Sequence, residues 1–129
     1  MFEQILKDDY VTLNTIRLFR DKKLLRTPLG LALISLYYTH TDELTSIVGF
    51  RSDLAEKLKI VTLQLTPLLK ANLKDSESLI LNSSQYADII EIMNLLKDAG
   101  SPALRQSVLY IMNLIEKQEH LNQLGIEIR

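Results

Sequence analysis

SQYADIIEIMNLLKDAGSPALRQSVLYIMNLI, residues 84–115, is the stretch that decides the fold. Tyr86, Ile89, Ile90, Met93 and Leu96 recur at spacings of three and four, opposite Asp88, Glu91 and Lys97, which is the pattern of a helix with one apolar face. Leu104, Val108, Ile111, Met112 and Ile115 repeat that pattern. Gly100 is placed to stop the first helix, and Ser101-Pro102 to open the second: serine caps, and proline suits a first position that needs no amide. So short a connection predicts an antiparallel hairpin. Ile92-Met93-Asn94-Leu95-Leu96 and Ile111-Met112-Asn113-Leu114-Ile115 form an internal echo, but one echo falls short of a repeat array, which needs about three units. Asn94 and Asn113, at matching places in it, are candidates to pair across helices or to fix an oligomer register.

Upstream, the same signals recur. A first helix is predicted over residues 9–26, starting at Asp8 or Asp9, with Leu13, Ile16 and Phe19 on one face. Thr27-Pro28 restarts the chain as Ser101-Pro102 does. Residues 28–38 are apolar around the whole circumference, which predicts a central helix buried on all sides. Thr41-Asp42-Glu43 predicts a threonine-capped short helix ending near Gly49. Ser52-Asp53 opens another, with Leu54, Leu58, Val61, Leu65, Leu68 and Leu69 at helical spacing and Pro67 predicting a kink or break. Residues 74–83 read as a linker whose Leu79-Ile80-Leu81 is suited to dock as a short extended segment. The expectation is an all-α chain: an irregular bundle of five or six helices in one domain, 1–129. It divides into a helical core over 1–73, the linker, and a hairpin with a tail over 84–129.

Composition agrees. Twenty-six leucines stand against four glycines and three prolines, a balance that favours helix. At 47% apolar and 24% charged the chain has ordinary globular composition. The net charge of −1 supplies no global field for nucleic acid or an anionic membrane. Without cysteine there is no disulfide framework and no thiolate, which suits a reducing, cytoplasmic setting. The opening MFEQILKDDY lacks the basic start and apolar run of a signal peptide, and the most apolar stretch, 29–38, is about half the ~20 residues a membrane helix needs.

Residues 13–47 also carry a family resemblance. Ile16-Arg17, Phe19-Arg20-Asp21, Leu24-Leu25, Thr27-Pro28-Leu29-Gly30, Leu36-Tyr37-Tyr38 and then Leu44 with Ile47 resemble the body of the CFI-box C-terminal domain, a family of no established activity. The Cys-Phe-Ile box that names it belongs before Leu13, and this chain has no cysteine. The resemblance implies a shared helical unit and supplies no reaction.

No motif assigns catalysis. Gly30, Gly49, Gly100 and Gly125 are isolated, so no phosphate-binding loop is present, and His40 and His120 lack metal-ligand spacing. His40, beside Tyr37, Tyr38, Asp42 and Glu43, reads as a helix C-terminal residue favoured by the dipole. Tyr37, Tyr38 and Tyr110 read as core residues with a hydroxyl at the rim. The best candidate site is basic: Arg17, Arg20, Lys22, Lys23 and Arg26 lead into Thr27, where a helix start offers amides to an anion and arginines add bidentate phosphate contacts. Against that stands a solvated helix end in which the cations balance the dipole and pair with Asp21. The leading expectation is a non-enzymatic interaction module, homo-oligomeric or bound to another protein, requiring no cofactor. It is motivated by more leucine than a small helical domain can bury. A sensor binding a phosphorylated small molecule at the basic cluster and regulating an effector is second, and a nucleic-acid adaptor third.

Overall fold

The hairpin forms as the capping signals dictate. A computed structural model of the chain describes residues 1–7, 9–75 and 77–129. In chain order it contains α1 (Phe2–Leu6), α2 (Tyr10–Lys22), a 3-10 turn (Leu24–Arg26), α3 (Pro28–Thr39), α4 (Thr41–Phe50) and α5 (Ser52–Asp75). These are followed by β1 (Leu79–Leu81), α6 (Ser83–Ala99), α7 (Pro102–Ile115), α8 (Gln118–Gln123) and β2 (Ile126–Ile128). The protein is all-α apart from the two short strands. Asn82 and Gln85 bond reciprocally as a capping box at the start of α6. Ser101 Oγ accepts the Leu104 amide at 3.2 Å to cap α7. The Glu43 carboxylate strengthens that start by accepting from the Ser101 hydroxyl at 2.6 Å, tying α4 to the hairpin. Gly100 sits at φ −90°, so it is not a left-handed cap. A Cβ there would lie 2.6 Å from the Leu104 side chain and 2.9 Å from the Leu96 carbonyl, so glycine permits the close turn.

The core is one apolar cluster that includes Leu13, Leu29, Leu44, Leu54 and Leu58 from the first half and Ile92, Met93, Leu104, Val108 and Ile111 from the second. Leu29, Leu44, Leu54, Leu104, Val108 and Ile111 are wholly buried. A smaller cluster of Phe19, Leu79 and Leu81 closes one end.

Five expectations are corrected. Residues 28–38 are not a central buried helix: on α3 only Leu29 and Gly30 are buried, and Leu31 and Tyr38 are at least half-exposed. The apolar circumference of α3 packs inward on the 3-10 turn and on α7, and its other side stays apolar and open. The central element is α5, which packs against α1, α2, α4, α6 and β1. It runs unbroken through Pro67, which is exposed together with Leu63, so the carbonyl deprived of an amide partner lies on the solvent side of the helix.

The first helix, expected over residues 9–26, divides at Lys23, where the chain tightens into the 3-10 turn, and α1 precedes it. Asp9 caps α2, accepting from the Thr12 amide at 3.1 Å and the Thr12 hydroxyl at 2.8 Å; Asp8 lies outside the described residues. Thr41 does not cap α4. It is the first helical residue, and its hydroxyl donates to the Tyr37 carbonyl at 2.6 Å, so α3 and α4 meet at His40 with no side-chain cap. The described part of 74–83 is no free linker either. Leu79-Ile80-Leu81 docks in extended form as expected, but as a strand paired in parallel with Ile126-Glu127-Ile128, a partner the sequence pattern left in the tail.

Two consequences are measurable. At Gly30 a Cβ would fall 2.0 Å from the Leu24 carbonyl oxygen, so Gly30→Ala must push the 3-10 turn off α3. We expect it to cost about 3 kcal/mol or more by overpacking, whereas Leu31→Ala on the open side of the same helix changes stability by no more than about 1 kcal/mol. Urea unfolding of the two variants checks this. The bonds from Thr12 hold the Asp9 carboxyl below its ordinary value of 3.8, and the bonds from Arg51 hold Asp53 at about 2. Lowered folded-state values mean that this stabilisation is present above the ordinary aspartate range and is lost as pH falls through it. Stability should therefore decline from about pH 4 toward pH 2. Asp9→Asn, which still caps but does not titrate, should decline less.

Candidate functional site

Two of the five cations of the basic cluster, Arg17 and Arg20, have acidic partners. Arg17, on the outer face of α2, lies 3.7 Å from the Glu3 carboxylate of α1. Arg20 Nε donates to Asp21 at 2.8 Å, and its Nη1 donates to the Tyr38 hydroxyl of α3 at 2.5 Å. The hydrogen bond to Asp21 raises the Arg20 pKa, and the same bond lowers that of Asp21. Lys22, Lys23 and Arg26 make no ion pair among the described residues, and Lys22 and Arg26 are exposed.

Thr27 is buried, and its hydroxyl oxygen accepts the Gly30 amide at 3.0 Å. Pro28 has no amide hydrogen, and Leu29 is 1% exposed. The 3-10 turn lies directly on Gly30. The amides that an anion would need at the start of α3 are therefore absent, covered or already bonded. The structure brings Arg17 and Arg20 onto carboxylates of α1 and α2 and does not gather them with Thr27 around one point.

The arginines instead border an aromatic seam between α1 and α3. Phe2 stacks on Tyr37 at 5.7 Å between ring centres, and Tyr38 meets Tyr37 edge-on at 5.4 Å. The Tyr37 hydroxyl donates to Glu3 at 3.0 Å and accepts from the Met1 amino group at 3.3 Å. Burial first, and then the bond to Glu3, raises the Tyr37 pKa. Tyr37 is half-buried as a rim residue, but Tyr38 and Tyr110 are exposed, contrary to their expected place in the core. His40 does end α3, where its Nε2 is 3.1 Å from Ser107 Oγ of α7. Asn94 accepts from Lys97 of its own helix at 3.0 Å, and Asn113 is exposed, so the echo asparagines make no cross-helix bond among the described residues.

Two depressions stand out among the described residues. One, of about 460 Å³, is lined by Tyr10, Val11, Asn14, Thr15 and Arg17 on α2; the other, of about 150 Å³, lies beside β2 at Ser78, Asn122, Gly125, Ile126 and Glu127. Both are shallow and open. The more distinctive surface is apolar. Phe50 is 87% exposed, Tyr10 71% and Val11 64%, and Leu18, Ile60, Leu63, Leu109 and Tyr110 are also exposed. Ile60 and Leu63 had a sequence signal: they fall outside the inward spacing of Leu54, Leu58, Val61 and Leu65 on the same helix. Tyr10, Val11 and Phe50 had none, because a helix-end residue fits either side of a pattern.

No protein-family model, curated protein or solved structure matches this chain. Residues 13–47 fold as most of α2, the 3-10 turn, α3 and most of α4. Among the described residues, no helix is long and apolar enough to cross a membrane.

The Tyr37–Glu3 bond ties α1 to α3 at a half-buried position. Tyr37→Phe should cost about 0.5–1.5 kcal/mol, and Arg17→Ala, which removes a solvent-exposed pair, no more than about 0.5 kcal/mol. Thermal unfolding of both variants separates the two contributions.

Proposed function

We propose that this protein is a non-enzymatic helical interaction module that works by self-association or by binding another protein. The observation that carries this reading is the set of large apolar side chains standing in solvent on α2, α4, α5 and α7, with Phe50 87% exposed. Single exposed leucines are ordinary in monomers, but apolar residues grouped along helix faces mark surfaces that a partner covers. A chain rich in leucine and free of cysteine suits a cytoplasmic partner.

A sensor at the basic cluster is less well supported. An anion would have to displace Glu3 from Arg17 and Asp21 from Arg20, and it would find the amides of the α3 start already covered. Nucleic acid would likewise depend on Lys22, Lys23 and Arg26 against a net charge of −1.

Sedimentation velocity across a concentration series, with native mass spectrometry, tests the proposal. The expected outcome is a reversible oligomer whose population rises with concentration and persists in Arg20→Ala. A monomer at every concentration that also gains mass from a phosphorylated metabolite lost in Arg20→Ala would replace this reading with the sensor.

A further inference from the structure

The outer face of α5 carries a regular stripe: Asp53, Glu56, Ile60, Leu63, Pro67, Lys70 and Lys74, all exposed. Their spacings alternate three and four without interruption, which is the spacing of a helix seam that meets another helix at a shallow crossing angle. The chemistry along it is ordered. Both acids lie at the N-terminal end, both lysines at the C-terminal end, and the apolar residues lie between them. The start of α2, where Tyr10 and Val11 are exposed, lies along the side of the stripe: α2 packs on α5, and Asp9 feels the charges of Lys70 and Lys59, one on each side of Leu63.

Such a stripe complements itself in only one direction. Laid parallel, two copies set acid against acid and lysine against lysine. Laid antiparallel about a two-fold axis near Leu63, they set Leu63 against its copy and Ile60 against Pro67. Glu56 then faces Lys70 and Asp53 faces Lys74, each pair twice over. Glu56 and Lys70 are seven residues from the centre on opposite sides, about 10 Å along the helix, so their registers coincide. Asp53 already holds Arg51 at 2.8 Å, which leaves Glu56–Lys70 as the pair that sets orientation.

We propose that this face of α5 is a homodimer interface in which the α5 helices of two copies pair antiparallel about Leu63. The inference rests on the interaction-module reading and gives it a specific partner, a second copy of this chain. The symmetry is isologous, so each residue is used twice and one substitution acts twice.

Charge reversal tests it. Glu56→Lys alone sets lysine against Lys70 at both pairs, and Lys70→Glu alone sets glutamate against Glu56 at both. Each variant by itself should dimerise at least about tenfold more weakly than the parent chain. Mixed in equal amounts they should form a heterodimer, because both pairs are then attractive with polarity exchanged. The absence of cysteine allows a second readout: Leu63→Cys should cross-link to its copy on mild oxidation, and Leu109→Cys on α7 should not. All these positions are exposed, and circular dichroism of each variant verifies the fold before association is read. If the parent chain dimerises but both reversals leave the dissociation constant unchanged and Leu63→Cys stays monomeric, this interface is overturned and the module reading stands on another face. If the parent chain is monomeric at every concentration, the interface is overturned, and the module reading survives only through a different protein.

Discussion

Burial of one long face of α5 is the constraint on which the other packing decisions depend. Leu54, Leu58 and Val61 are buried in the shared cluster, and α1, α2, α4, α6 and β1 all lie against this helix. A helix of 24 residues spans about 36 Å, the width of a small domain, so shorter elements can be organised along it with short connections. Its continuity through Pro67 matters for that reason. Thr62 and Thr66 donate their hydroxyls to Leu58 and Thr62 carbonyls at 2.7 and 2.8 Å on the buried side, so the polar groups next to the proline are satisfied internally. The proline itself faces water, where a missing amide costs least.

From that spine the polar details follow in order. Lys57 of α5 reaches Glu91 of α6 at 2.6 Å, a bond that raises the lysine pKa and sets the hairpin against the spine. Glu43 of α4 accepts from the start of α7, and His40 at the end of α3 meets Ser107. These contacts add little stability individually, since exposed pairs contribute about 0–1 kcal/mol. Their effect is on register: they fix which turn of each helix meets which neighbour.

The legible part of this fold was its punctuation. Ser101-Pro102 and Thr27-Pro28 each mark a capped helix start, because capping is local chemistry that a sequence carries in full, and Ser52-Asp53 marks the start of α5 with Ser52 as its first helical residue. The stripe through Leu104, Val108, Ile111 and Ile115 was legible for the same reason, as its buried face is a period. What failed needed tertiary knowledge. The apolar circumference of α3 carries no sign of which side stays open, and Pro67 reads as a break although α5 tolerates it at an exposed position. The strand Ile126–Ile128 is three residues long, too short for any periodicity, and exists because Leu79–Leu81 is there to pair with it. The basic cluster and the pairing of its cations with Asp21 are legible in the sequence, and Arg20 makes that pair; the partners Glu3 and Tyr38 lie on other helices and are not legible.

The surface left over decides the functional argument. A core of this size cannot absorb every apolar residue, and chance scatter would spread the remainder without order. On α3 and α7 exposed apolar residues are also present, Leu31 and Tyr38, Leu109 and Tyr110, but without acids at one end and lysines at the other. On α5 the remainder is aligned and flanked by opposite charge at its two ends. Solubility alone would be served by lysines and glutamates in any order, and alternation along the helix would strengthen it through internal pairs four residues apart. Within the stripe the acids and the lysines stand at opposite ends, which gives it an orientation preference toward another molecule beside the local bond of Asp53 to Arg51 and the nearness of Lys59 to Glu56. Antiparallel pairing is favoured and parallel pairing opposed by the same side chains, which is how helices ordinarily specify direction. The ordering of charge, more than the amount of exposed leucine, is what singles out this face.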